Sequence, residues 1–152
     1  MTTHSETRAM PYSAQQMFDL VADVERYPEF LPWCAGARVR GVEERGDHRE
    51  MTADLVISFK VFRETFGSRV RLFDEEKRIE TEYLEGPFRK NESTWRFKDT
   101  ETGCNVHFTV EFEFRNFVLQ KAAGLFFYEA MQRIVRAFED RAHRLYGATG
   151  PA

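Results

Sequence analysis

The chain of 152 residues is 42% hydrophobic and 31% charged, an ordinary balance for one folded domain with a real core. A net charge of -3 and a pI near 5.9 exclude a general nucleic-acid binder, which carries a clear basic excess, though they leave room for a local basic patch. Fifteen phenylalanines are the anomaly, because large rings need an interior or a ligand to cover them.

The opening segment "MTTHSETRAM" has neither the apolar core of a secretory signal nor the arginines of a transit peptide. It is read as a terminus ahead of an ordered core running from about Ala9 to Tyr146, a single domain with disorder only at its ends. "SAQQ", Ser13 to Gln16, is a capping box, and Tyr12 with Met17 has the spacing of a hydrophobic staple. Ala14, Met17, Phe18 and Val21 recur at helical spacing, so the pattern predicts a short amphipathic helix to about Arg26, stopped by Pro28 because the residue before a proline is pushed out of the helical region.

Next comes "YPEFLPWC", residues 27 to 34, three rings and a leucine set around two prolines. One reading is a loop that plugs one end of the core. The other is a lid, with Phe30, Leu31 and Trp33 at the mouth of a cavity, able to touch a ligand tail or a membrane interface.

From about Ala37 the period changes to two. "EMTADLVISF" sets Met51, Ala53, Leu55, Ile57 and Phe59 on one face, and "CNVHFTVEFEF" alternates Cys104, Val106, Phe108, Val110, Phe112 and Phe114 with polar residues. One face is buried and the other wet. Turn chemistry at "ERGDH", "DEEK", "EGP" and "KDTETG" separates strands, and the stretch from Arg38 to Phe114 is counted as about six strands with the spacing of an antiparallel meander.

After Asn116 the helical period returns. Leu119, Ala122, Ala123, Phe126, Ala130, Ile134, Val135, Phe138, Ala142 and Leu145 form a stripe along a long helix, with Gly147 as its C-cap. The fold class is therefore α+β, with one sheet packed on the long C-terminal helix. A sheet is wider than a helix of about 10 Å, so the two leave a cavity between them, lined by apolar side chains and suited to an apolar small molecule. Its candidate lining is Phe59, Phe66, Trp95, Phe108, Phe112, Phe126 and Ile134, with Phe30, Leu31, Trp33 and Phe88 at the mouth.

Chemical motifs are absent from the pattern. His4, His48, His107 and His143 are scattered, and no spacing suits a metal or a nucleotide. Strand parity puts His107 with Glu111 and Glu113 on the wet face, and Cys34 lacks a basic neighbour to activate it. Cys34 and Cys104 are expected to be free thiols in a cytoplasmic protein, and no window is long and apolar enough to span a membrane. The pairs Arg38/Arg40 and Arg69/Arg71, with Arg133, Arg136, Arg141 and Arg144 on the last helix, read either as ordinary charge pairing or as a basic surface for RNA or anionic lipid.

"YPEFLPWC", "FRETFGSRVRL", "EGPFRKNESTWRF", "VEFEF" and the closing helix together resemble the coenzyme Q-binding START-domain family. That family sits within the polyketide cyclase/dehydrase and lipid-transport superfamily, and some of its bacterial relatives are called RatA-type ribosome association toxins. The resemblance implies a helix-grip (START/Bet v 1-like) fold, a curved antiparallel sheet of six or seven strands wrapped around the C-terminal helix and enclosing a hydrophobic tunnel. It implies binding of ubiquinone or a similar polyisoprenoid lipid, without catalysis, metal or other cofactor and without DNA, and peripheral contact with an inner membrane. Two alternatives accompany it: association with the ribosome through the arginines, and cyclase or aromatase chemistry, which needs inward acid/base groups that parity reveals in small number. One departure stands out, "RKNEST" after "GPF", where the family usually places an apolar residue.

Overall fold

Residues 2–59 and 62–147 are described by the computed structural model. Seven antiparallel strands form one sheet in the order β1-β7-β6-β5-β4-β3-β2: β1 Thr2–Met10, β2 Cys34–Glu44, β3 Arg49–Phe59, β4 Phe62–Phe73, β5 Arg78–Glu85, β6 Phe88–Thr100 and β7 Gly103–Phe114. Two helices complete it, α1 Ala14–Ala22 and α2 Phe117–Tyr146, with a 3-10 helix, Val24–Glu29, between α1 and β2.

Four of the five connections among β2 to β7 fall at the expected turns; the fifth, between β3 and β4, was not among them and lies outside the described residues. At Gly86 (φ +136°) a side chain would place its Cβ 2.6 Å from that of Phe66, so only glycine fits this turn. β1 was not anticipated. It pairs with β7 over its whole length, Thr2 opposite Phe112 and Met10 opposite Cys104, so ordered structure begins at Thr2 rather than Ala9. Its alternation is real, but the inward residues His4, Glu6 and Arg8 are polar, and a search for alternating hydrophobicity passes over it.

Helix α1 has the capping box: Ser13 Oγ accepts from Gln16 N at 3.1 Å, and Gln16 Oε1 accepts from Ser13 N at 3.0 Å. It ends at Ala22, short of Arg26, because Asp23 (φ -84°, ψ 67°) leaves the helical region. Pro28 then sits inside the 3-10 helix instead of terminating α1. The break frees the Val21 carbonyl, which accepts from the Tyr27 hydroxyl at 2.5 Å.

Both helices cover the same face of the sheet. Phe18, Val21, Ile79, Phe97, Cys104, Phe138 and Ala142 belong to one buried cluster, at the end where α1 meets the C-terminal half of α2. Tyr12 Oη donates to the Gly147 carbonyl at 2.8 Å and Tyr146 Oη to the Gln16 carbonyl at 3.0 Å, locking the two helices together. Thirty residues give α2 a length of about 45 Å, and its C-cap is Gly147 as expected.

The helix grips one end of the sheet and stands clear of the other. Along β7, Cys104 and Val106 are buried, whereas Phe108, Val110, Phe112 and Phe114 are only half-buried. Along α2 only Met131, Phe138 and Ala142 are fully buried, and Phe117, Val118, Leu125, Phe126 and Tyr128 in its first half are each at least 60% exposed.

Candidate functional site: a ring-lined trough with a polar side wall

Space between α2 and the concave face falls into two parts. At the gripped end it shrinks to a small half-open cavity of about 40 Å³, lined by Met10, Met17, Val21, Trp95, Phe108, Ile134 and Phe138, with Glu6, Arg8 and Glu139 on one side. That holds about one water molecule and is far below the roughly 300–1,000 Å³ of ligand pockets. At the other end the space is an open trough. A Cβ on Gly124 of α2 would meet nothing within 4 Å.

Rings line the trough. Phe88 lies at their centre, stacked on Phe114 at 4.6 Å between centroids and edge-on to Phe66 at 5.2 Å, Tyr83 at 5.7 Å and Phe112 at 6.3 Å. Phe127 reaches from α2 to Phe112 at 5.3 Å. Across the sheet floor beside them the hydroxyls of Thr81 and Ser93 share a hydrogen bond of 2.6 Å.

The candidate residues separate into groups. Trp95, Phe108 and Ile134 line the small cavity, and Phe66 and Phe112 belong to the ring cluster. Phe88 is in that cluster too, 4% exposed; the β-bulge between Phe88 and Lys90 turns it inward, so it is a floor residue and not a lip. Trp33 and Phe59 meet edge to face at 5.8 Å on the rim. Phe30 and Leu31 pack against the core, Phe30 edge-on to Phe138 at 5.4 Å, and on their outer side they wall a separate groove. Phe126 is 60% exposed and off the inward stripe, which runs Phe127, Met131, Ile134, Phe138, Ala142. Ile134, Phe138 and Ala142 are where the expected stripe places them, but in the first half of the helix Phe127 and Met131 face inward in place of Phe126 and Ala130.

One wall of the cavity is charged, a feature invisible to hydrophobic patterning. Glu6 accepts from Arg8 Nε at 2.8 Å and pairs with His4 Nε2 at 2.6 Å. Arg8 also donates to Glu139 at 3.0 Å and to Gln132 at 3.1 Å, both on α2. Burial alone would raise the Glu6 pKa, but hydrogen bonds from Arg8 and His4 outweigh it and hold the carboxyl below its ordinary value. Inward acid/base groups are thus more numerous than strand parity of β2 to β7 indicated, although each of these is engaged by a partner. The signal was present in the i, i+2 spacing of His4, Glu6 and Arg8.

Other candidates behave as surface or filler. His107 accepts or donates with the Thr7 hydroxyl at 2.7 Å on the convex face, and Glu111 pairs with Lys90 at 2.9 Å. Cys34 and Cys104 are both free; burial pushes the Cys34 thiol up and that of Cys104 to about 11, which makes both poor nucleophiles. Among the described residues no group of His, Cys, Asp or Glu could hold a metal ion, and no helix is long and apolar enough to cross a membrane.

Arginines divide in two. Arg69 and Arg71 both reach Glu82, at 3.2 and 3.1 Å, and approach Glu50, while Arg40 pairs with Asp54 at 3.0 Å. Arg141 pairs with Glu29 at 2.8 Å and lies over the Phe30 ring. Arg133, Arg136 and Arg144 are exposed and have no carboxylate partner among the described residues. They border the outer groove, about 450 Å³, whose other wall includes Pro28, Phe30, Leu31 and Pro32.

A curved seven-stranded sheet on one long C-terminal helix, with an apolar trough between them, matches known proteins in sequence as well as shape. The model of the polyketide cyclase / dehydrase and lipid transport family matches residues 10–139. The chain belongs to that family. Within it, the chain is 36% identical over 145 residues to the ribosome association toxin RatA of Rickettsia prowazekii, covering 93% of this chain and 97% of that one. It is 32% identical over 149 residues to the mitochondrial coenzyme Q-binding protein COQ10 homolog B of Xenopus laevis, covering 95% of this chain and 59% of that one. Among solved structures, an 18 kDa protein from Caulobacter crescentus is 33% identical with a TM-score of 0.81, covering 97% of this chain and all of that one. The family's START-like helix-grip fold is thereby the fold of this chain. The ring-filled stretch Tyr27–Cys34 makes a core contact through Phe30, as the plug reading expects, and a contact with Phe59 through Trp33.

Proposed function

We propose that the protein binds a polyisoprenoid lipid, a ubiquinone or a close chemical relative, in the open trough and carries it without changing it. The observation behind this reading is the convergence of rings from β4, β5, β6, β7 and α2 at the end where the first half of α2 is exposed. Each methylene sheltered from water contributes about 0.8 kcal/mol, so a chain of isoprene units gains affinity from these walls alone. A quinone ring needs hydrogen-bond donors as well, and the hydroxyls of Thr81 and Ser93 stand on the same face. The name of the Xenopus relative supports the ligand class. Absence of catalysis is supported by the engagement of Glu6, Arg8 and Glu139 with one another, which leaves no free acid/base pair among them.

The test is extraction of lipids copurifying with the full chain, analysed by mass spectrometry, followed by titration of the stripped protein with ubiquinone. A quinone recovered unchanged, and lost in a Phe112→Ser variant, is the expected result. Wild-type protein that is empty and takes up no added quinone refutes the reading.

A second reading, ribosome association, is favoured by Arg133, Arg136 and Arg144, whose charges are unspent, and by the name of the Rickettsia relative. It predicts cosedimentation with large ribosomal subunits that weakens steeply as salt rises. Salt-independent cosedimentation, or none, counts against it.

A further inference from the structure

The outer groove, about 450 Å³ between residues 28–32 and the C-terminal half of α2, has a volume inside the usual range of ligand sites, and the lipid reading makes no use of it. Its two walls are chemically unlike. Pro28, Leu31 and Pro32 form an aliphatic wall. Opposite stands one face of α2, with Arg133, Arg136, Asp140 and Arg144 around the small side chain of Ala137.

Bonds within the protein already hold these walls in place. Arg141 ties them together, donating to Glu29 at 2.8 Å and lying over the Phe30 ring 5.1 Å from its centroid. Arg26 also donates to Glu29, at 3.1 Å, and the N–H groups of Phe30 and Leu31 both donate to the Tyr27 carbonyl, at 3.2 and 2.8 Å. Walls fixed in advance lose less ordering entropy on binding. The Phe30 ring is taken up by Arg141, Tyr27 and Phe138, so a ligand meets prolines and a leucine in place of an open aromatic face.

Charge narrows the choice of occupant. Four arginines face two carboxylates, Glu29 and Asp140, in the lining, a positive excess in a chain whose net charge is -3. Arg141 is spent on Glu29, whereas Arg133, Arg136 and Arg144 are exposed. Eleven residues separate Arg133 from Arg144, about 16 Å along the axis, so a single small anion cannot meet all three. Single-stranded RNA spans that distance, but its evenly spaced phosphates also confront Asp140, and its backbone leaves the aliphatic wall uncovered. A polypeptide suits both walls, because it alternates carboxylates with aliphatic side chains and can place an uncharged residue at Asp140.

We propose that this groove binds an acidic, aliphatic segment of a partner protein, its carboxylates on Arg133, Arg136 and Arg144 and its apolar side chains against Pro28, Leu31 and Pro32. The proposal goes beyond the lipid and ribosome readings and depends on neither.

The experiment is selection of a displayed random-peptide library on the full chain, counter-selected on Arg133→Gln/Arg136→Gln/Arg144→Gln, with anisotropy titration of the enriched peptides. These should combine several Asp or Glu with Leu, Ile or Val, and should bind the counter-selected variant about tenfold more weakly. Ala137→Glu sets a carboxylate four residues from both Arg133 and Arg141 and should weaken binding by a similar factor. Arg133→Glu/Arg136→Glu/Arg144→Glu should instead take the same peptides remade with lysine for each acid. The three arginines are exposed, so their replacement leaves the core intact. Amide shifts on adding peptide should concentrate in residues 28–32 and 133–144. Four results overturn the proposal: no enrichment over the counter-selected variant; enriched peptides without acids or without aliphatics; shifts centred elsewhere; or displacement of the peptides by an RNA oligonucleotide at lower concentration. Loss of peptide binding with intact quinone uptake would remove this inference and leave the lipid reading standing.

Discussion

Trp33 has φ +64°, a left-handed conformation that costs a residue with a Cβ roughly 1–2 kcal/mol. Its carbonyl accepts from Ser58 N at 2.8 Å, and its ring rests edge-on against Phe59 at 5.8 Å, so the strain is held by contacts on both sides of the peptide. Two truncations separate these effects. Trp33→Ala loses the ring contact, worth about 0.5–1.5 kcal/mol beyond its buried area, and keeps the strain. Trp33→Gly loses the same contact and relieves the strain, against about 0.5–1 kcal/mol of extra unfolded-chain entropy. The difference favours glycine by about 0.75 kcal/mol, the reverse of the usual order in extended chain. With a urea m-value of about 2 kcal/mol per molar, the glycine variant should unfold about 0.4 M later than the alanine variant at unchanged m. An alanine variant at least as stable as the glycine one refutes the argument from strain. Because both variants lack the ring, they should lose lipid affinity equally, which separates the role of Trp33 in folding from its role at the rim.

Phe127→Ala should cost about 2 kcal/mol, below the full value for a buried phenylalanine because the site is half-open, while Phe126→Ala should stay within about 0.5 kcal/mol; equal costs in thermal or urea unfolding would mean that the inward stripe is misassigned. The depressed Glu6 pKa makes a carboxylate contribution that is fully present above the ordinary glutamate value of about 4.3 and fades as pH falls through the lower folded value. Glu6→Gln should therefore be less stable than wild type near neutrality, with the gap closing in acid; a gap that widens in acid contradicts the ion-pair assignment.

What could be read from the sequence followed from periods and punctuation. The turns "ERGDH", "DEEK", "EGP" and "KDTETG" each separate two observed strands, and Ser13, Gln16 and Gly147 cap helices where their chemistry says they should. β1 was hidden because its inward residues His4, Glu6 and Arg8 are polar, bonded to one another and, through Arg8, to α2. The end of α1 was hidden because Asp23 departs from helical geometry with no glycine or proline to announce it. Phe126 and Phe127 are indistinguishable by type, and only the phase set by Met131, Phe138 and Ala142 decides which faces the sheet. The open trough depends on where a helix stops touching a sheet, a tertiary property that no local pattern encodes. The charged wall needed β1 first.

An open sheet has two edges, and this one guards each differently. β1 is stitched to α2 by bonds from Gln120 to Thr2 and from Arg8 to Gln132 and Glu139. β2 is interrupted by irregularities at Cys34/Gly36 and Val39/Gly41 and carries Arg38, Arg40, Glu43 and Glu44 along its exposed length. Bulges and charge spoil the straight ladder that a further strand would need. Growth into fibrils by strand addition is thus blocked at one margin by a helix and at the other by geometry, and a protein with so much exposed aromatic surface can be concentrated without templating its own polymerisation. Deleting Gly41 so as to straighten β2 would remove that safeguard while leaving the trough untouched.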